Sequence, residues 1–305
     1  MTRSPEMPPL TVAAVVICFN QGRFLEASLG GLLGQSRPPD QVVIIDDCSS
    51  DDSADRLRTW VARHRPDATL VLHQTNRGVI RTLNEALALV TCDLVAPLAG
   101  DDLWLPGKLA TQVAQLELLP TRVGVLYGDV GRIDERGDLL VGSFIESYKG
   151  RALRPEGNLF GELLRGNFLP SPSLLIRRAC WERVGHFDES LYMEDWDFWL
   201  RVARHYEFGF TSEEVGRYRV VTGSHVRQTG PVADASHLAT LLKWSHTPEL
   251  RSPAARETVR ALAASLYGQG GAPARRRLAW VWVRHGGVRG WLRSRLPQTP
   301  HLRRL

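Results

Sequence analysis

Four short apolar runs, each followed by a segment with helical spacing, dominate the first 120 residues of the chain. The runs are VAAVVICF from Val12, QVVIID from Gln41, ATLVLH from Ala68 and DLVAPL from Asp93. Because they are apolar throughout, both faces of each predicted strand are expected to be buried. The pattern predicts an α/β fold with a mostly parallel central sheet and helices on both faces. In such sheets ligands bind beyond the carboxyl ends of the strands.

The second half of the chain is less regular. VGVLYGDVGRID predicts a strand and a hairpin-like turn at residues 135–137, followed by a loop over 138–157 and a short helix over 158–165. PSPSLLIRR predicts a strand that enters a helix at about Arg177. MEDWDFWLRVARHYEF predicts a helix from near Glu194, GRYRVV a last strand, and the chain is expected to be helical from about 235.

Acidic clusters stand at three predicted junctions between strand and helix. They are Asp46 with Asp47, Asp101 with Asp102, and Glu194 with Asp195 and Asp197. Carboxylates at the carboxyl edge of a sheet bind divalent cations, accept hydrogen bonds from a nucleotide, or act as a general base. A single cluster is more simply a helix cap or a solvated turn, which is how Asp51 and Asp52 are interpreted. Three clusters at three junctions favour a ligand site.

Charge is unevenly distributed along the chain, whose net charge is +5. Residues 275–305 carry nine Arg and no acid, which leaves 29 of the 38 basic residues against all 33 acids in the rest, about −4. The body is therefore slightly acidic and the tail strongly basic.

Cysteine usage and hydropathy both favour a cytoplasmic protein. Cys18, Cys48, Cys92 and Cys180 are scattered and form no C-x-x-C pair, so reduced thiols are expected. The apolar run near the N-terminus follows Glu6 and three prolines and continues into a polar turn, so it is interpreted as a strand and not as a signal peptide. No stretch reaches the ~18–20 apolar residues of a spanning helix.

Several ordered segments together resemble the family 2 glycosyltransferases, which have the nucleotide-sugar-binding GT-A fold. The segments are VVICFNQGRFLEASLGGLLGQSRPPDQVVIIDDCSSDDS, NRGVIRTLNEAL, LAGDDLWLPGKL, VLYGDVGRID, SPSLLIRR and VGHFDESLYMEDWDFWLRVA. The resemblance covers about residues 12–226. It implies a Rossmann-like GT-A domain over 1–230, with a nucleotide-binding half over about 1–120 and an acceptor-side half over 121–230. Residues 231–305 are then a C-terminal helical, basic extension.

The resemblance assigns donor contacts to residues of the first half. Phe19 and Asn20 would lie beside the nucleotide, and Asp47, with Asp46 next to it, would accept a hydrogen bond from the base, typically from uracil. Asn76, Gly78 and Asn84 fit the family pattern of the third helix. The arginine common before the second Asn is Leu83 here, and Arg81 stands two positions earlier as a candidate replacement.

The AGDD segment corresponds to the metal-binding D-x-D signature of the family. Ala99 replaces the leading carboxylate that relatives often have, while Asp101 and Asp102 are retained. The resemblance therefore implies an oxygen site for Mn²⁺ or Mg²⁺, completed by the donor diphosphate, with Asp101 also on the donor side. His225, in a polar loop, is a candidate to assist the metal or the phosphate, and a solvated loop histidine is the equal alternative.

The MEDWDFW segment corresponds to the acceptor-side motif of the family. By that match Asp195 is the general base that takes the proton of the acceptor hydroxyl, and a single base implies inversion at the anomeric carbon. Glu194 and Asp197 are competing candidates. Trp196 and Trp199 are interpreted either as core residues or as an acceptor platform, and the sequence leaves both open.

The Arg-rich tail also contains Trp280, Trp282 and Trp291. It fits an anionic membrane surface as well as it fits a structural extension with solvated arginines, and nucleic acid is the least favoured partner. Flotation with anionic liposomes, with and without residues 272–305, would separate these interpretations.

The leading hypothesis is thus an inverting, metal-assisted glycosyltransferase. The donor is a nucleoside-diphosphate sugar, with UDP the expected nucleotide, and the acceptor is a hydroxyl of a glycan, a lipid-linked glycan or a small molecule. The resemblance implies a role in cell-envelope polysaccharide biosynthesis and a cytoplasmic location, with peripheral attachment to the inner face of the plasma membrane as the expectation if the tail binds lipid. The rival is a catalytically silent GT-A module that binds a nucleotide sugar or a partner. A dinucleotide-dependent oxidoreductase is remote because no G-x-G-x-x-G follows the first strand.

Overall fold

The computed structural model describes residues 8–149, 154–191, 194–221 and 231–269 of the chain. Its strands are β1 Val12–Cys18, β2 Gln41–Asp46, β3 Thr69–Leu72, β4 Leu94–Ala99, β5 Leu103–Trp104, β6 Val123–Gly128, β7 Gly131–Ile133, β8 Leu139–Leu140, β9 Leu175–Arg177, β10 Glu207–Thr211 and β11 Gly216–Arg219. Its α-helices are α1 Gly22–Leu33, α2 Ser53–His64, α3 Val79–Ala88, α4 Lys108–Leu118, α5 Phe144–Lys149, α6 Phe160–Leu163, α7 Ala179–Val184, α8 Glu194–Val202, α9 Pro231–Lys243 and α10 Pro253–Gln269.

The central sheet has seven strands in the order β10-β6-β9-β4-β1-β2-β3. All neighbours are parallel except β9, which runs antiparallel to both β4 and β6. A second, four-stranded sheet has the order β5-β11-β7-β8. The predicted α/β fold with a mostly parallel sheet is confirmed.

The core lies on both faces of the central sheet. On one face, alternate residues of β1, β2 and β4 pack against apolar side chains of α1, α2 and α4, such as Leu29, Leu57 and Val113. On the other face Ala13, Val15 and their neighbours in β2 are equally buried, and α3 contacts β1 and β2. Double-sided burial explains why these strands read as unbroken apolar runs in the sequence.

The described residues fall into two compact units. Unit 1 lies within Met1–Leu159, Phe168–Phe187 and Arg201–Val221, and it contains both sheets. Unit 2 lies within Phe160–Asn167, Asp188–Leu200 and Thr222–Leu305. The sequence-based division into 1–230 and 231–305 stays a prediction. Among the helices of the described ranges, none is long and apolar enough to span a bilayer.

Two expectations about secondary structure were wrong. The helix predicted to run to Phe208 ends at Val202, because the next turn closes with the His205 N–H donating to the Val202 carbonyl. Glu207–Thr211 then pairs in parallel with β6 as strand β10. The loop predicted over 138–157 contains β8, which pairs with β7, and α5.

Candidate active site

The carboxyl ends of the parallel strands bring the predicted donor-side residues to one edge of the sheet in unit 1. Cys18 of β1 lies opposite Asp46 of β2, and Asp46 lies opposite Leu72 of β3. Ile17 of β1 lies opposite Ala99 of β4. The residues that follow these strand ends are therefore neighbours, although they are far apart in sequence.

Asp47 is the centre of a hydrogen-bonded cluster at this edge. Its carboxylate is buried and accepts the main-chain N–H groups of Arg77 and Gly78, each at 2.8 Å. The Nδ1 atom of His73 lies 2.8 Å from Asp47 Oδ1, and its Nε2 atom lies 3.0 Å from Glu85 Oε2. Asp47 thus fixes the loop that precedes α3.

The side-chain amides of Asn76, in the NRG segment, and of Asn84, in α3, form hydrogen bonds within the protein. The Asn76 side chain donates to the Asp47 carbonyl at 3.1 Å. Asn84 both donates to the Phe187 carbonyl and accepts the Phe187 N–H. Gly78 precedes α3 with a φ of 84°, a conformation that favours glycine. Arg81 is exposed.

The turn after β1 packs on the turn after β2. Asn20, with a φ of 53°, accepts the Ser50 N–H at 2.7 Å, and its own N–H donates to the Ser49 hydroxyl at 2.8 Å. Asp46, which is buried, accepts from the Ser49 N–H and hydroxyl. The Phe19 ring is 47% exposed at this edge and can offer an aromatic face to a ligand.

Asp101 and Asp102 form a turn directly after β4. Burial raises the pKa of Asp101, and burial together with the neighbouring Asp101 charge raises the pKa of Asp102 well above its usual range. Asp102 Oδ1 accepts the main-chain N–H of Arg219 at 2.9 Å, and the Arg219 Nε–H donates to the Asp101 carbonyl at 2.8 Å. The Arg219 guanidinium also lies 4.7 Å from the Phe24 ring centre.

This pair of carboxylates fits a hard divalent cation. Mg²⁺ and Mn²⁺ sites in nucleotide-dependent enzymes take one or two carboxylates and complete their shell with phosphate oxygens and water. Within the described ranges no cluster of three or more His, Cys, Asp or Glu side chains could hold a metal by itself. His225 lies outside the described residues.

In unit 2, Asp195 is the second residue of α8 and half-buried. The Asn167 side-chain amide donates to Asp195 Oδ2 at 2.6 Å, and the Trp196 N–H donates to Asp195 Oδ1 at 2.7 Å. Both contacts limit rotation of the carboxylate group. Glu194 is the first residue of the helix.

The two tryptophans of α8 belong to the core of unit 2. Trp196 is 4% exposed and Trp199 is 3% exposed, so neither presents an open ring face. The Trp196 indole N–H donates to the Leu163 carbonyl at 2.6 Å. Asp197 is also buried, and Lys243 Nζ lies 2.8 Å from its Oδ1 atom.

Four polar residues that form hydrogen bonds or ion pairs with the candidate site residues were not identified from the sequence: His73, Asn167, Arg219 and Lys243. His73 had a readable signal, because it follows the apolar run of β3 at the same edge as Asp47. The other three had none. Asn167, for example, is 28 residues from Asp195, and only the fold brings the two together.

The family follows from comparison of this chain with known sequences. The sequence pattern described as Glycosyl transferase family 2 matches residues 13–181, more than half of the chain. The chain belongs to glycosyl transferase family 2. It is thereby an enzyme of the glycosyltransferase class, as the segments from VVICFN to MEDWDFW predicted.

Relatives in the same family are distant. EpsE of Bacillus subtilis, which carries the name glycosyltransferase, is 27% identical over 202 residues, 65% of this chain and 68% of EpsE. Glycosyltransferase MJ1057 of Methanocaldococcus jannaschii is 22% identical over 217 residues, 70% of this chain and 72% of the relative. A glycosyltransferase of Rickettsia felis is 25% identical over 63% of this chain, which spans only 31% of that longer relative.

Solved structures share the fold of this family 2 chain. S. aureus TarS 1-349, crystallised in complex with UDP, has a TM-score of 0.58 at 17% identity, over 83% of this chain and 70% of TarS. The mannosyltransferase PcManGT of Pyrobaculum calidifontis, in complex with GDP-Man and Mn²⁺, has a TM-score of 0.56 at 21% identity, over 92% and 83%. These glycosyltransferase neighbours confirm the predicted GT-A fold.

Proposed function

We propose that the chain transfers a sugar from a nucleoside diphosphate to an acceptor hydroxyl, with inversion at the anomeric carbon. UDP is the leading nucleotide, since a TarS structure contains UDP-GlcNAc, and GDP-mannose, the ligand of PcManGT, is the second donor to test. The acceptor class is a glycan, a lipid-linked glycan or a small molecule. Cell-envelope polysaccharide synthesis is the proposed setting.

The observation that carries the proposal is the Asp101–Asp102 turn. Burial of two adjacent carboxylates is costly, and the pKa of both groups stays raised although the charge of Arg219 acts to lower it. A turn that is unfavourable in the free protein becomes favourable when a cation and a diphosphate bind. The turn lies at the carboxyl edge of the sheet, where ligands of such folds bind.

Asp101 and Asp102 are the residues that would hold Mn²⁺ or Mg²⁺, with Asp101 the more accessible of the two. When bound, the cation supplies positive charge that stabilises a leaving diphosphate. Asp102 supports this arrangement through the Arg219 N–H, which keeps its Oδ1 atom in place. At the same edge, Phe19 offers an aromatic face to the base, and the Asp47 cluster fixes the loop before α3.

Asp195 is the proposed general base. The acceptor oxygen forms a bond to the anomeric carbon as the bond from that carbon to the diphosphate oxygen breaks, and the diphosphate leaves with the electron pair. The proton of the acceptor hydroxyl passes to an Asp195 carboxylate oxygen. Asn167 donates to Asp195 Oδ2 and so orients the carboxylate for this transfer.

Replacing the base separates this proposal from its rival. Asp195→Asn is expected to lower turnover by about 10²- to 10⁴-fold, because proton removal is lost while donor contacts remain. The assay is release of UDP from UDP-GlcNAc, or of GDP from GDP-mannose, with MnCl₂ and with water as the acceptor. Donor affinity, measured by calorimetry, is expected to stay within a factor of about two.

The outcomes distinguish the candidate functions. An Asp195→Asn variant that turns over at the wild-type rate contradicts the assigned mechanism. A wild-type chain that binds a nucleotide sugar and cleaves none favours the silent module, to which the substitutions Ala99 and Leu83 already point. A metal-dependent shift in melting temperature with one donor and not the other would name the nucleotide.

The Arg- and Trp-rich tail lies outside the described residues, and we propose it as a peripheral anchor on an anionic membrane. Nine arginines without a single acid favour attraction to anionic lipids over an uncharged surface. Flotation with anionic and with zwitterionic liposomes tests this, and binding that survives deletion of residues 272–305 contradicts it.

A further inference from the structure

Lys243, the last residue of α9, bridges two carboxylates of unit 2. Its Nζ atom lies 2.8 Å from Asp197 Oδ1 and 2.6 Å from Asp188 Oδ2. The Asp197 side chain has no exposed area, whereas Lys243 and Asp188 are each about one-third exposed. An ionised carboxylate in such a buried position is strongly unfavourable without a paired cation. Lys243 supplies that cation.

The pKa of Asp188 reflects this pairing. Burial by itself would raise the pKa of Asp188, yet hydrogen bonds from Lys243 and Ser190 outweigh it and lower the pKa to about 2. The Ser190 N–H and hydroxyl both donate to Asp188 Oδ1, which leaves Oδ2 for the ammonium group. The three charged groups form one fixed cluster.

Aromatic contacts join the same elements. The His237 ring of α9 meets the Trp196 ring of α8 edge to face, with centroids 5.2 Å apart. Trp244, directly after α9, meets Phe160 of α6 in the same way at 5.1 Å. The α9 region therefore packs against two elements. One is the segment from α6 to Asn167, whose last residue donates a hydrogen bond to Asp195, and the other is α8, which contains Asp195.

The α9 helix begins at Pro231, after the residues 12–226 that resemble the family, and the resemblance assigns a role to none of its residues. We infer that Lys243 is a positioning residue for sugar transfer: by pairing with Asp197 and Asp188 it fixes α8 and thereby the orientation of Asp195. The inference rests on the proposed function, since it needs Asp195 as the base. It also makes α9 part of the acceptor-side machinery and not an appendage.

Lys243→Met tests the inference in the full-length chain. In the donor-hydrolysis assay described above we expect kcat to fall about 10- to 100-fold with the donor KM nearly unchanged, because the base loses its orientation and the donor residues of unit 1 are untouched. Lys243→Arg retains a cation and is expected to restore most of kcat. Hydrogen exchange in residues 194–202 should rise in Lys243→Met and stay unchanged in residues 79–88.

A double variant separates positioning from mere stability. Lys243→Met with Asp197→Asn removes the ammonium and the buried charge together, so melting temperature is expected to recover. Under the inference kcat stays low, since the pairing through Lys243 that orients α8 is still missing. Recovery of both melting temperature and kcat would overturn the inference. If Asp195→Asn is also fully active, the assigned base is wrong, and if the wild-type chain cleaves no donor, the proposed function has failed. This inference fails in either case.

Discussion

Individual acidic residues in this fold are stabilised by partners that come from distant segments. Asp47 is held by His73 and the amides of Arg77 and Gly78, and Asp102 is held by Arg219, which is 117 residues away. The acids themselves could be predicted as a group, because three acidic clusters at three strand–helix junctions favour a ligand site over separate caps or turns. Of their partners only His73 had a readable signal, since a hydrogen bond such as that between Asp102 and Arg219, 117 residues apart, depends on strand order and leaves no local pattern.

Asp102 gives a pH-dependent prediction at the same scale. A carboxyl with a raised pKa binds its proton more tightly in the folded than in the unfolded chain. In the absence of metal, ionised Asp102 therefore destabilises the fold. This destabilisation grows as the pH rises from the usual aspartate pKa of 3.8 through the raised pKa of Asp102. Asp102→Asn removes this cost, and the amide oxygen can still accept the Arg219 N–H. We expect a higher metal-free melting temperature than wild type, by more at pH 8 than at pH 5.

Calorimetry across pH, with and without MnCl₂, provides the measurement. The stabilisation that MnCl₂ with donor gives the wild-type chain is expected to shrink in Asp102→Asn. Asp138→Asn, at an exposed carboxyl, is the matched control and should change neither property. An Asp102→Asn variant that is no more stable than wild type at pH 8 would contradict the account of this turn.

At the scale of elements, the close packing of α1 on β5 restricts the residue type at position 31 more strongly than helix propensity does. A Cβ atom at Gly31 would lie 2.6 Å from the Trp104 carbonyl oxygen, a main-chain atom that cannot move aside easily. A Cβ atom at the adjacent Gly30 would meet nothing within 4 Å. The two glycines are therefore adjacent in the sequence, but only position 31 lacks space for a side chain.

Alanine substitutions at this pair test the packing. Gly31→Ala is expected to destabilise the fold by about 1–3 kcal/mol, because α1 must move away from β5. Gly30→Ala is the matched control and is expected to stabilise by about 0.5–1 kcal/mol through helix propensity alone. Urea unfolding monitored by circular dichroism measures both, and equal effects at the two sites would show that the close contact is not limiting.

Helices and strands with a clear hydrophobic periodicity could be predicted, whereas very short strands could not. The strands β1 to β4 follow from the four unbroken apolar runs to within one residue of their bounds, and the helical spacing between these runs corresponds to α1, α2 and α3. The strand β10 escaped because its residues continue the helical spacing of α8, and pairing with β6 overrides that local pattern. Two-residue strands such as β8 exist only through their partner and have too few residues for any period.

At the scale of the whole molecule, segments that are far apart along the chain belong to the same compact unit. Unit 2 gathers segments around 160–167 and 188–200 with the helices α9 and α10, so the acceptor-side residues and the C-terminal helices belong to one compact unit. The family resemblance, which ends at about residue 226, implies a boundary near residue 230. The contacts of Lys243 and His237 explain why the described structure groups α9 with α8.

Two C-terminal truncations test this grouping. Removal of residues 231–305 takes away the cation that pairs with buried Asp197 and the ring that covers Trp196, so we expect a loss of melting temperature of several degrees and loss of turnover. Removal of residues 270–305 is the control, because it leaves α9 and α10 intact, and it should preserve the fold. Scanning calorimetry and the donor-hydrolysis assay provide the readouts. If the chain cut after residue 230 remains as stable and as active as the chain cut after 269, α9 is an appendage, and the role assigned to Lys243 fails with it.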